Sequence, residues 1–185
     1  MGAYPTLATR LPGPMELTPN VVILWVGLLV AAGTDLQTGK IRNWLTFSMM
    51  AIGIVYHGIV GPDRLFGLTG FGAATALHFL LYVGGIQKAG DAKLFMAIGA
   101  LLGMEEMVET TIWFFLLYIP VGLTTLAIKG RLTNFLATIS WIVRKTFGLP
   151  VEEAPEPTMM IAGPTILVAG LIAGTADSIR EWVFG

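Results

Sequence analysis

Two aspartates stand where acidic side chains are costly. Asp35 directly follows the apolar run Val21–Thr34, in AAGTDLQTGKIRNWLT, and Asp91 stands just before another, in GGIQKAGDAKLFMAIGA. An ionisable group at the edge of a membrane-crossing segment is expensive to desolvate, which makes each a functional candidate. When two carboxylates come within hydrogen-bonding distance, repulsion disfavours ionising both, so one holds a proton while the other is charged. The charged member can take a proton from a bound water while the protonated one hydrogen-bonds a scissile carbonyl, which suits peptide hydrolysis without a metal or a covalent intermediate. Gly84, Gly85 and Gly90 lack the side chain that would hold an extended peptide away from Asp91. The structural alternatives are that Asp91 caps a helix beginning at Ala92 and that Asp35 is a solvated loop residue.

Composition says what must position these groups. Of 185 residues, 55% are hydrophobic and 12% charged, against the roughly 45–50% and ~25% of soluble domains. The chain has no cysteine, which excludes disulfides, thiol nucleophiles and thiolate zinc sites, and only two histidines. No metal and no cofactor is expected, and the chemistry falls to oxygen groups. With 11 Lys plus Arg against 12 Asp plus Glu and a net charge of −1, there is no basic surplus for a nucleic-acid partner.

The expected fold class is therefore all-α, a polytopic membrane protein forming one domain over residues 1–185. Residues 1–20 hold four prolines and read as a flexible lead-in. Apolar stretches follow at Val21–Thr34, Trp44–Val60, Leu65–Ile86, Leu94–Met104, Thr111–Ile128 and Met159–Ala176, and a lipid-crossing helix needs about 20 residues. The first and fourth are short. Loop charge decides for six spans within 21–176: with the N- and C-termini outside, Lys40, Arg42, Lys88, Lys93, Lys129, Arg131, Arg144 and Lys145 all face the cytoplasm. Both aspartates then share that edge. Residues 130–149 carry Leu132, Phe135, Leu136, Ile139, Ile142 and Val143 at helical spacing between basic residues, which predicts a cytoplasmic interfacial helix or a partner's docking site. PVEEAPEPT, 150–158, breaks the chain before the last span. His57 and His78 are expected to hydrogen-bond across helices, and Glu105, Glu106 and Glu109 to form a solvated outer loop.

At this point a family resemblance enters. Asp35-Leu-Gln-Thr-Gly-Lys-Ile-Arg-Asn43 resembles the first aspartate motif of type IV prepilin peptidases, with Ile41 and Asn43 matching and Arg42 in place of a proline. Ala89-Gly90-Asp91-Ala92-Lys93-Leu94 is similar to the second, Gly-x-Gly-Asp followed by x-Lys-Leu, with Lys88 in place of the first glycine. Gly163-Pro164 and Gly170 are similar to the family's closing helix.

The resemblance implies an intramembrane aspartic endopeptidase of the short, peptidase-only form, in the cell membrane with its site facing the cytoplasm. Asp35 and Asp91 would be catalytic, and Gly85, Gly90, Lys93 and Asn43 would bind substrate. Its partners would be a prepilin- or preflagellin-type protein and the bilayer. Lys93 is expected to pair with an acidic group or anchor the fourth span, Asn43 to hold the turn near Asp35 or cap the second span, and Lys88 either to disturb the proton on Asp91, three residues on, or to reach lipid phosphates. Two other functions fit the same residues: a small proton-coupled transporter or channel subunit, and a non-catalytic prepilin-binding homologue.

Overall fold

The structure, a computed structural model, describes residues 18–61, 63–84, 86–151, 153 and 162–174. All regular structure among these is helical: α1 Pro19–Thr38, α2 Asn43–Ile59, α3 Phe66–Val83, α4 Ala89–Leu102, α5 Met104–Ile128, α6 Leu132–Thr146 and α7 Gly163–Ala173. Each predicted apolar stretch carries a helix, and α6 falls within 130–149. Helix α1 opens two residues inside the expected lead-in, because Pro19 suits a first helical turn where its missing N–H costs nothing. Most of 150–158, the start of the last predicted span and the rest of the lead-in lie outside the described residues.

Three helices, α1, α3 and α5, are long and apolar enough to cross a membrane by themselves. Large side chains such as Leu29, Phe47, Val55, Leu80, Leu116 and Ile128 are exposed along the bundle. So much outward apolar surface suits hydrocarbon rather than water. Helix α4 has 14 residues, about 21 Å at ~1.5 Å per residue against ~30 Å of hydrocarbon. Its placement accounts for its length. It packs on α2, α3 and α5 and touches α1, and it buries Asp91, Ala92, Leu94, Phe95, Ala97, Ile98, Gly99, Ala100 and Leu101. A helix sheathed in protein need not match the lipid thickness.

Small residues bring the neighbours onto α4. A Cβ at Gly53 of α2 would lie 2.6 Å from the Ala100 carbonyl, and one at Gly99 would lie 2.5 Å from the carbonyl oxygen of Gly70 in α3. Without a hydrophobic drive between helices in lipid, such close backbone approach supplies the packing. The far end of α4 is tied down by hydrogen bonds. Asn20 Nδ2 of α1 and His57 Nε2 of α2 both donate to the Leu101 carbonyl, each at 2.9 Å, satisfying an acceptor the helix end leaves open.

One residue, Gly103, then turns the chain into α5 with φ 91°, a value that side-chain-bearing residues avoid. This corrects the expected outer loop. Glu105, Glu106 and Glu109 all lie in the first turns of α5, with Glu109 buried, because the one-residue turn leaves no room for a connection. Helix α6 is amphipathic, packs on α5, and leaves Leu136, Ile139 and Val143 exposed along one side. Lys145 Nζ sits 4.6 Å from the Trp141 ring centre.

Candidate active site

The C-terminal turns of α1, the first turn of α4 and the start of α7 meet at one end of the bundle. Asp35 lies inside α1, one turn before its end, rather than beyond it, and is 2% exposed. Its Oδ2 accepts hydrogen bonds from the backbone N–H groups of Ala162, at 2.9 Å, and Gly163, at 2.7 Å. These are the open donors of the α7 N-terminus, where partial positive charge collects. Pro164 favours starting a helix here, and Gly163 lets it come close. A Cβ on Gly163 would lie 2.9 Å from Asp35 Cβ and 3.2 Å from the Ala31 carbonyl oxygen.

Asp91 is 4% exposed and also lies within its helix, since α4 opens at Ala89 with Lys88 as the cap. The carboxylate therefore occupies the third helical position and accepts the Lys88 backbone N–H, one half of a capping box. Both aspartates are thus buried at the same end of the bundle, where α1 and α4 are in contact.

The other predicted residues are distributed around this pair. Lys93 Nζ donates to Asn43 Oδ1 at 3.0 Å and lies 5.2 Å from the Phe47 ring centre. Its partner is thus a neutral amide at the first position of α2, and Asn43 stitches α2 to α4 while Arg42 takes the cap. Gly90 faces Ile41, whose Cβ would be 3.3 Å from a Cβ placed there. Gly85 lies outside the described residues. Lys88 is the cap of α4, three residues before Asp91.

Against this geometry, residues 22–126, more than half of the chain, match the type IV leader peptidase family. The chain belongs to that family. It is also 31% identical over 163 residues to the preflagellin peptidase of Methanocaldococcus jannaschii, covering 83% of this chain and 69% of the relative. No solved structure matches it. The fold and the family together describe a helical membrane protein of the leader-peptide-cleaving proteases.

Around the site of this leader peptidase, sequence reasoning missed two features. The contact between Asp35 and the α7 N-terminus joins residues 127 and 128 positions apart. Gly163-Pro164 was a visible helix start, but nothing local tells where that start docks. Gln87, a polar residue in a glycine-bearing segment, is buried and reaches His78.

Proposed function

We propose that the chain is a membrane-embedded aspartic endopeptidase that removes the leader of a prepilin- or preflagellin-type substrate at the cytoplasmic edge of the cell membrane. The observation that carries this is the convergence of two buried aspartates, from α1 and α4, at one end of the bundle in a chain of the leader peptidase family. The similarity to a preflagellin peptidase supports the substrate class.

Asp35 Oδ2 is filled by two N–H donors, which leaves its other oxygen to take the proton of the attacking water. The water oxygen bonds to the scissile carbonyl carbon as Asp91 gives its proton to the carbonyl oxygen. Collapse of the tetrahedral species breaks the C–N bond, and the proton held by Asp35 passes to the leaving amine. Asp91 regains its proton as the carbonyl reforms, so the pair ends as it began. The substrate's extended segment binds near Gly84–Gly90, with Lys93 and Asn43, hydrogen-bonded to each other, contributing to its binding.

Six crossings with both termini outside would put Lys40, Arg42, Lys88, Lys93 and the basic flanks of α6 on the aspartate side, in keeping with the cytoplasmic preference of Lys and Arg. Helix α6 then rests its apolar stripe in that membrane surface. Coexpression with candidate prepilins, scored by the mass of the mature N-terminus, tests the proposal. The wild type cleaves, while D35N and D91N insert normally and do not. Proton flux in liposomes with no cleavage by the wild type would select the transporter instead.

A further inference from the structure

The segment between α3 and α4 is held from below by a buried polar chain that the proposed reaction does not use. His78 of α3 is fully buried and stacks on Phe95 of α4 with ring centres 4.1 Å apart and planes 5° from parallel. Its Nδ1 is 2.8 Å from Gln87 Oε1 and its Nε2 is 3.0 Å from Thr111 Oγ1 of α5. Thr111 Oγ1 also lies 2.7 Å from the Met107 carbonyl oxygen, so its hydroxyl either donates there and accepts the His78 Nε2–H or turns to donate to a bare Nε2. The other ring nitrogen then meets the Gln87 amide. With Nε2 bare, the neutral ring donates its Nδ1–H to Oε1; with Nε2 protonated, the amide is turned and its NH2 donates to a bare Nδ1. Both arrangements clamp the same side chain. The Gln87 backbone N–H also donates to the Leu81 carbonyl at 3.3 Å.

What this clamp holds is close to the chemistry. The peptide unit joining Gln87 to Lys88 carries the N–H that meets the Asp91 carboxylate. Fixing the Gln87 side chain fixes that donor, and the donor fixes the carboxylate. We propose that Gln87, gripped by His78 and Thr111, is a positioning residue that aims the Asp91 carboxylate at Asp35. This rests on Asp91 being catalytic.

The chain lacks cysteine, so Ile86→Cys, at a position 59% exposed, gives a single nitroxide site beside the clamp. With the clamp intact the label is immobilised, and Gln87→Ala sharpens its spectrum. In reconstituted full-length protein, Gln87→Ala lowers kcat by ~10- to 100-fold, the scale of a displacement of about 1 Å, with KM within about twofold. Thr111→Val acts in the same direction, Thr111→Ser restores the rate, and Gln87→Ala with Thr111→Val is no slower than Gln87→Ala alone, because both break one chain. If Gln87→Ala does not fold, Thr111→Val against Thr111→Ser carries the comparison. A wild-type kcat or an unchanged spectrum in Gln87→Ala, or additive losses, overturns the inference. D91N run alongside separates the two claims. A D91N variant that cleaves removes the catalytic assignment and the inference with it, whereas inactive D91N beside fully active Gln87→Ala removes the inference alone.

Discussion

Gly163→Ala puts one methyl group where α7 docks on Asp35. The new Cβ would lie 2.9 Å from Asp35 Cβ and 3.2 Å from both the Ala31 carbonyl oxygen and Ala32 Cα. Carbon atoms rest about 3.5–4.0 Å apart, so the start of α7 must retreat by roughly 0.6–1 Å. Hydrogen bonds now at 2.7 and 2.9 Å would then pass beyond the ~3.2 Å upper end of good N–H···O geometry. Overpacking costs about 1–3 kcal/mol, and a displacement of about 1 Å at a reacting group costs ~10²-fold in rate. We expect leader cleavage by Gly163→Ala to fall by about that factor, with a lowered unfolding midpoint in detergent. Gly33→Ala, on the same helix as Asp35 but with nothing within 4 Å of its new Cβ, should stay within about 0.5 kcal/mol of wild type in stability and keep its rate. Initial rates on a reporter prepilin in membranes, with both proteins at equal levels, make the comparison. A Gly163→Ala enzyme as fast and as stable as Gly33→Ala would refute the argument that the α7 N-terminus holds Asp35.

At the opposite end, Asn20 and His57 share the Leu101 carbonyl. Removing either donor costs about 1 kcal/mol, and removing both leaves a buried acceptor at about 1–3 kcal/mol more, so Asn20→Leu with His57→Leu should lower the unfolding midpoint by more than the sum of the singles. Additive shifts would show that the two donors do not compensate for each other. The cleavage rate should peak between two limbs of pH. At low pH the pair takes up a second proton and loses its base, and at high pH it gives up the shared proton and loses its acid. A rate flat across both limbs contradicts proton sharing.

Much of the fold was readable because its signals are local. Apolar runs bounded by glycine, proline and basic residues mark each helix, and α6 shows in the alternation of Leu136, Ile139 and Val143 with polar residues. Asp35 and Asp91 were visible because charge at the edge of such runs needs a reason. Their depth was not, since it depends on where helices start: Lys88 caps α4 and Gly39 ends α1, which draws both aspartates inside their helices. The one-residue turn at Gly103 escaped notice because three following glutamates look like a loop until backbone geometry is known. Long-range contacts were out of reach. Neither the docking of Gly163 on Asp35 nor the clamp on Gln87 leaves a periodic trace, because each joins residues whose proximity only the assembled bundle creates.

Central to the account is that Asp35 and Asp91 work as one unit, and the direct measurement is single-turnover leader cleavage by D35N, D91N and the double variant in one membrane background. Residues that act together lose their effect once, not twice. The account predicts three equal residual rates, all at the level without enzyme. A partial rate in either single variant that the second substitution lowers further would mean that the two carboxylates act independently, and would contradict it.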